Sequence, residues 1–276
     1  MIFAEVIGDP IAQSKSPAIH GHWLRLIGVE ADYRATRVRT DDLAAFLSQR
    51  RGDPDWRGCN VTVPHKEAVI PLLDGVDDGA LRIGAVNCVV RRQGMLVGSN
   101  SDIEGVAAAL SRAAVLGAKA AIIGGGGGAR AAIRYLADAG AAEIALILRS
   151  PDKAERLRGV AEPSSLSAHG LDEADRALDG ASVIVNASTL GMVGADPMPL
   201  SLLDAVTRHA AGATAFDMVY KPLDTAFLVA ARSGGARTVD GLAMLVGQAR
   251  AAFTLFFGVD APTADSVLLN QLTSGS

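Results

Sequence analysis

Residues 120–133 read Ala120-Ala-Ile-Ile-Gly124-Gly-Gly126-Gly127-Gly128-Ala129-Arg130-Ala-Ala-Ile133: an apolar run, five glycines, then an alanine-rich stretch. That order spells strand, tight turn, helix. A pyrophosphate needs bare backbone N–H groups at a helix N-terminus, with no Cβ in the way. The spacing Gly-x-Gly-Gly-x-x-Arg is a variant of the Gly-x-Gly-x-x-Gly turn that does this for dinucleotides. Gly124, Gly126, Gly127, Gly128, Ala129 and Arg130 are the candidate contacts. No Lys-Ser/Thr pair follows, so a nucleoside-triphosphate loop is excluded. A merely flexible turn is the competing reading.

Working outward, short β-branched runs alternate with Ala/Leu-rich ones. Strands are expected at residues 4–8, 60–63, 86–91, 120–123, 143–148, 182–186 and 213–217. Helices are expected at 17–27, 41–49, 102–116, 129–139, 152–158 and 225–231, with only helices after 241. This alternation predicts an α/β fold with mostly parallel sheets. A new strand that opens into a glycine turn usually starts its own domain. The expected division is therefore 1–101 for an N-terminal α/β domain, 102–238 for a Rossmann-like dinucleotide domain, and 239–276 for C-terminal helices that return to the first.

The strand after the glycine turn ends at Leu148-Arg149-Ser150, with Lys153 close behind. NAD binding calls for an acidic residue there, to hold the ribose 2′-hydroxyl. Two cations and a hydroxyl suit a 2′-phosphate instead, so NADP is expected. The alternative is a solvated surface pair, with Ser150 capping a helix that starts at Pro151.

The first domain carries polar groups at strand–helix junctions. Ser16-Pro17 is a helix start with Ser16 as N-cap, which leaves Ser14 to be explained; two hydroxyls beside free helix N–H groups would hold a carboxylate. In Asn60-Val-Thr62-Val-Pro-His-Lys66, strand alternation puts Asn60 and Thr62 on one face. Pro64 then opens a helix with Lys66 in its first turn. A cation set against the helix dipole gives up its proton more readily, which suits proton transfer; a solvated lysine is the plain alternative. Asn87 and Asp102 sit at further strand ends, readable also as a turn residue and a helix cap. Together these groups suit a small polyhydroxylated acid.

The 276 residues include 26 basic and 30 acidic side chains, 49% apolar residues, 30 glycines and 4% aromatics. The net charge of −4 argues against a nucleic-acid binder. Two cysteines, Cys59 and Cys88, make no disulfide framework, and no spacing of histidines or cysteines marks a metal site. No apolar run is long enough for a membrane span, and the stretch Met1–Pro10 has no basic n-region, so neither a membrane helix nor a signal peptide is expected. A cytoplasmic protein, a monomer or homodimer that binds neither membrane nor nucleic acid, is expected.

Eight stretches in order resemble the shikimate dehydrogenase (shikimate/quinate dehydrogenase) family. They are Gly8-Asp-Pro-Ile-Ala-Gln-Ser14-Lys-Ser16-Pro17, Asn60 to Lys66, Gly84-Ala-Val-Asn87, Asn100-Ser-Asp102, the Gly124–Arg130 turn, Asn186-Ala187-Ser188-Thr189-Leu-Gly191-Met, Asp217-Met218-Val219-Tyr220 and Asp240-Gly241-Leu-Ala-Met244-Leu-Val-Gly-Gln248-Ala. The resemblance implies NADPH-dependent reduction of 3-dehydroshikimate to shikimate, in chorismate and aromatic amino-acid biosynthesis. Its catalytic pair falls on Lys66 and Asp102, and its carboxylate hydroxyls on Ser14 and Ser16. Its ring-hydroxyl contacts fall on Asn60, Thr62, Asn87, Asp102 and Gln248, with Tyr220 near the acid group. Nicotinamide-side contacts fall on Met218, Val219, Gly241 and Met244, and cofactor contacts on Ala187, Ser188 and Thr189.

The chain departs from the family's pattern at three places. Ser101-Asp102-Ile103 replaces Thr-Asp-Gly, Leu148-Arg149-Ser150 replaces Asn-Arg-Thr, and Phe256-Phe257-Gly258 stands where Trp is common. A quinate/shikimate dehydrogenase with relaxed cofactor choice, and a non-catalytic NADP-binding regulatory module, are the competing readings.

Overall fold

Two six-stranded sheets organise the chain, one in each of two units, in a computed structural model that describes residues 1–273. The first unit comprises residues 1–101 and the chain from Gln248 onward; the second is Asp102–Gly247.

In the first unit the order is β1 (Ile2–Gly8), α1 (Ser16–Ile27), β2 (Ala31–Arg37), α2 (Leu43–Arg51), β3 (Trp56–Val61), α3 (His65–Ala68), β4 (Gly75–Val76), α4 (Asp78–Ile83), β5 (Cys88–Arg92) and β6 (Met95–Ser99). The strands lie in the order β2-β1-β3-β5-β6-β4. β1 runs parallel to β2 and β3, and β4 parallel to β6; β5 is antiparallel to both its neighbours. The β5–β6 hairpin turns on Gln93 and Gly94, both at positive φ (52° and 82°), which is the backbone a two-residue hairpin loop demands. Ile7, Leu47, Trp56, Val89 and Leu96 fill one core of this unit.

The second unit contains α5 (Asp102–Ala109), β7 (Lys119–Ile123), α6 (Gly127–Asp138), β8 (Glu143–Ile147), α7 (Arg158–Ala161), β9 (Ser165–His169), α8 (Ala174–Leu178), β10 (Ala181–Asn186), α9 (Leu200–His209), β11 (Thr214–Asp217), α10 (Ala226–Ser233) and β12 (Arg237–Val239). Its sheet is parallel throughout, in the order β12-β11-β10-β7-β8-β9. Read from the other side, the strands in chain order stand 3-2-1-4-5-6, the doubly wound arrangement. The order reverses between β7 and β10, and a ligand crevice opens at that point in such sheets.

α11 (Gly241–Phe257) begins in the second unit, and the first unit resumes within it at Gln248. α12 (Ser266–Thr273) follows. In the first unit Phe253 and Phe256 of α11 pack with Trp23, Tyr33 and His20, whose ring stacks on Tyr33 at 4.0 Å. His20 is fully buried among these rings, and burial lowers its pKa to about 3, so it is neutral.

Four local expectations change. Ser16 is the first residue of α1 rather than its cap: Lys15 takes the cap position, and the Ser14 hydroxyl accepts the Ser16 N–H at 3.3 Å. The helix expected over 102–116 stops at Ala109, where the Ser111 hydroxyl donates back to the Ala108 carbonyl at 2.9 Å in place of a further turn. β3 ends at Val61, so Thr62 lies in the turn beyond it, its N–H donating to Ile7 and its carbonyl accepting from His65. α3 is a single turn, so it has little dipole for Lys66 to oppose.

Candidate active site

In the first unit, three of the expected substrate groups, Asn60, Asn87 and Gln248, join one hydrogen-bonded chain. The Tyr33 phenol donates to Asn60 Oδ1 at 2.5 Å. Burial raises the Tyr33 pKa well above its ordinary value, so it stays protonated. Asn60 Nδ2 donates to the Asn87 carbonyl at 3.3 Å. Asn87 Oδ1 in turn accepts the Ser101 N–H at 2.7 Å and its hydroxyl at 3.3 Å. Ser101 Oγ also lies 3.5 Å from Gln248 Oε1. Thus Asn60, Asn87 and Gln248 are drawn together, linked by Tyr33 and Ser101, while Ser14 is bonded to the Ser16 backbone. Asn60 and Asn87 are buried, and Ser14 and Thr62 are half-buried.

Lys66 is tied to this group through its backbone. Its carbonyl accepts the Val86 N–H at 2.8 Å, one residue before Asn87. His65 beside it is buried, and its Nε2–H donates to the Val38 carbonyl at 2.7 Å. That bond anchors α3 and leaves the half-buried Lys66 side chain on a fixed base. Of the positioning groups, His65 and Ser101 lie within the quoted motifs without a role assigned to them, and Tyr33 lies outside every motif. Only the apolar-polar alternation of Tyr33 within β2 signals it, and a polar strand masks that pattern.

In the second unit, Asp102 opens α5 and is buried. The glycine turn follows β7. Gly124 has φ +110°, and a Cβ there would sit 2.9 Å from the Ala187 carbonyl oxygen, so only glycine fits. Gly126 caps α6 without any side-chain bond, and Cβ positions at Gly126 and Gly127 face open space. The first turn of α6 carries no acidic residue. This is a bare, positive helix N-terminus with room beside it, which is what a diphosphate needs. Ala129 is buried behind it, and Arg130 lies in the same first turn.

Beside the turn lies a cavity of about 710 Å³ lined by Gly124–Gly126, Arg149, Ser150, Lys153 and Ala187–Leu190, among others. Arg149 and Lys153 are exposed, and no carboxylate lines this cavity. Ser150 precedes the helical turn at Pro151 but makes no side-chain capping bond, so the capping role is not realised.

The loops after β10 and β11 share a buried polar cluster. Asp217, fully buried at the end of β11, accepts from Asn186 Nδ2 (2.9 Å), the Val219 N–H (2.9 Å) and the Thr225 hydroxyl (2.6 Å). Burial outweighs these donors and raises its pKa to about 6. Met218, Val219 and Tyr220 follow in the turn. A Cβ on Gly241 would come within 2.5 Å of the Met218 carbonyl oxygen, and one on Gly128 within 2.8 Å of Met218 Sδ. Gly241, Gly128 and Met218 therefore pack as one corner, with Met244 half-buried one turn along α11. Tyr220 is half-buried, and burial raises its pKa.

The Asp217 carboxyl holds its proton to about pH 6 in the folded chain and loses it near pH 4 when unfolded. Protonation therefore favours folding, fully below pH 4 and no longer above pH 6. Measured against Asp217→Asn in urea at each pH, the wild-type stability is expected to fall by roughly 2–4 kcal/mol between pH 4 and pH 7. A difference that stays flat with pH would sink this expectation.

Among the described residues, no cluster of three or more His, Cys, Asp or Glu could hold a metal ion, and no helix is long and apolar enough to cross a membrane. Cys59 and Cys88 are buried and form no disulfide.

Comparison with known proteins bears on both units. Residues 6–89 match the shikimate dehydrogenase substrate binding domain, 107–192 the shikimate / quinate 5-dehydrogenase model, and 241–265 the shikimate 5'-dehydrogenase C-terminal domain. The shikimate dehydrogenase (NADP(+)) of Sphingopyxis alaskensis is 48% identical over 265 residues, covering 94% of this chain and 92% of that protein. The structure of shikimate 5-dehydrogenase from Thermus thermophilus in complex with NADP(H) and shikimate is 33% identical, with a TM-score of 0.82 over 100% of this chain and 99% of that one. That of the Listeria monocytogenes enzyme in complex with shikimate and NAD is 26% identical, with a TM-score of 0.89 over 99% and 96%. With two sheets of the expected kind, a glycine turn at the switch point and relatives of this identity along nearly its whole length, the chain belongs to the shikimate dehydrogenase family.

Proposed function

We propose that this protein is an oxidoreductase that reduces 3-dehydroshikimate to shikimate with NADPH, reversibly, at a substrate site on the first unit and a cofactor site on the second. The observation that carries the substrate assignment is the hydrogen-bonded chain from Tyr33 through Asn60, Asn87 and Ser101 to Gln248, with the bonded pair Ser14 and Ser16, which holds hydroxyl and amide groups in fixed orientation. A ring bearing a carboxylate and several hydroxyls needs that set: Ser14 and Ser16 for the acid group, and Asn60, Thr62, Asn87, Asp102 and Gln248 for the hydroxyls.

The residues at the glycine turn fit NADP(H), which supplies the hydride when bound. Gly124, Gly126, Gly127 and Gly128 give backbone N–H groups to the diphosphate, with Ala129 and Arg130 behind them. Arg149, Ser150 and Lys153 hold the 2′-phosphate. Ala187, Ser188 and Thr189 line the cofactor on one side, and Met218, Val219, Gly241 and Met244 flank the nicotinamide. Lys66 gives its proton to the carbonyl oxygen as that oxygen becomes a hydroxyl, and takes it back in the reverse direction. Its charge also steadies the oxyanion. Asp102 orients the ammonium and accepts from a ring hydroxyl, and Tyr220 serves the acid group. The protein acts as a monomer or homodimer in the cytoplasm.

The test is an assay of purified protein by the absorbance of reduced cofactor, crossing shikimate and quinate with NADP and NAD. Turnover with shikimate and NADP alone is the expected result. Equal turnover with quinate or NAD would move the protein to a broader specificity. No turnover in a protein that still binds NADP(H) would make it a non-catalytic binding module.

A further inference from the structure

We propose that Asp217 is a positioning residue of the cofactor site: its buried carboxylate ties the loop after β10 to the turn after β11 and so sets the width of the dinucleotide crevice. This rests on the cofactor reading above. The tie can be followed bond by bond. Oδ1 of Asp217 accepts from Asn186 Nδ2 and from the Val219 N–H, and Oδ2 accepts from Thr225 Oγ1. Asn186, held this way, donates to the Leu190 carbonyl at 3.3 Å. Its Oδ1 accepts the Ser188 N–H at 3.1 Å and the Ser188 hydroxyl at 2.7 Å. Ser188 Oγ then accepts the Leu190 N–H at 3.2 Å. Every polar atom of the loop segment 186–190 that these bonds engage is connected to Asp217 directly or through Asn186 and Ser188.

Both tied segments touch the glycine turn. Ala187 abuts Gly124, and Met218 abuts Gly128. A shift of either loop would therefore change the space for the diphosphate and for the ring beyond it. Above about pH 6 the side chain at 217 is a carboxylate and a pure acceptor, and the three groups that converge on it are all donors in this arrangement. An amide there turns one acceptor into a donor. Thr225 can absorb part of that change, since its hydroxyl can rotate, but it already accepts the Leu228 N–H as the cap of α10. The carboxylate present above about pH 6 thus accepts all three bonds where the amide cannot, so the substitution loosens the loops even as it removes a buried charge.

The test uses Asp217→Asn, Ser188→Ala and the double variant. NADPH binding is followed by quenching of protein fluorescence and by steady-state KM, with thermal unfolding of the unliganded proteins alongside. For Asp217→Asn the expected result is a rise of about tenfold in the NADPH dissociation constant, with the KM for 3-dehydroshikimate at saturating cofactor changed less than about twofold. The effect of Ser188→Ala should be smaller and, because both act through Asn186, non-additive with the first. A folded Asp217→Asn protein with wild-type NADPH affinity would overturn the proposal, as would strict additivity of the two changes. If Asp217→Asn does not fold, Ser188→Ala decides: unaltered NADPH affinity in that variant overturns the tie. A wild-type protein that binds no NADP(H) would instead overturn the cofactor reading itself.

Discussion

Replacing Lys66 with Met is expected to lower turnover by about a thousandfold while leaving NADPH affinity within about twofold of wild type. Two separate losses combine in that figure. A positioned general acid contributes a factor of ~10²–10⁴, and a cation beside a developing oxyanion adds electrostatic stabilisation. Methionine keeps the length and apolar stem of lysine, so packing changes little. The backbone that carries residue 66 is held by bonds the substitution does not touch, from His65 to Val38 and from Val86 to residue 66. Thermal unfolding should therefore move little. Lys66→Arg separates the two losses. Arginine keeps the charge but does not release a proton near neutral pH. If proton transfer dominates, arginine falls nearly as far as methionine. If the charge alone matters, arginine recovers most of the rate. Turnover of the methionine variant within about threefold of wild type would remove Lys66 from the mechanism.

The central strands of both sheets are legible in the sequence because burial on both faces writes them as apolar runs. β1, β7, β8 and β10 are such runs, and they, β5 and β11 lie within a few residues of their expected places, whereas β3 is the mixed Trp-Arg-Gly-Cys-Asn-Val and overlaps its expected place only at Asn60 and Val61. The strands that escape lie at or next to the margins. β2 and β4 close the two edges of the first sheet, β9 and β12 those of the second. An edge strand has one partner and a wetted side, so its sequence is mixed: Ala-Asp-Tyr-Arg-Ala-Thr-Arg in β2 and Ser-Leu-Ser-Ala-His in β9. β6 escapes for another reason. Its turn, Gln93-Gly94, carries the positive φ pair of a tight hairpin without the Asn-Gly spelling that usually announces one.

At the site the asymmetry is of a different kind. Groups that would meet a ligand are legible, since a ligand's chemistry restricts residue type: glycines where a Cβ collides, hydroxyls and amides at strand ends. Groups that hold those groups in place are not. Tyr33 stands in a mixed edge strand that carries no motif, and Thr225 at the start of an expected helix. Asp217 stands at a strand end like many solvated acids, and nothing in its neighbours says that three donors meet on it. Their roles come from long-range contacts, 27 residues apart for Tyr33 and Asn60 and 31 for Asn186 and Asp217, and one-dimensional spacing cannot carry them.

The choice of cofactor can be decided by removing charge. Joint replacement of Arg149 and Lys153 by Ala is expected to lower kcat/KM for NADPH by on the order of a hundredfold and to leave that for NADH unchanged. On the proposed assignment, a phosphate on the ribose would meet two cations and the Ser150 hydroxyl beyond the end of β8, in a cavity no carboxylate lines. A ribose with a free 2′-hydroxyl meets no acidic acceptor there, which is why NADH should gain nothing from the wild-type arrangement. The two cations are not equivalent. Arginine can present two parallel N–H groups to phosphate, while lysine acts as a point charge. Arg149→Ala alone should thus cost more than Lys153→Ala alone. Both side chains are exposed, so their attraction is screened by salt, and the preference of the wild type for NADPH should shrink as ionic strength rises. The double variant should show no such slope. If the ratio of NADPH to NADH efficiency stays where it was, Arg149 and Lys153 are a solvated surface pair, and the 2′-phosphate is held by other groups.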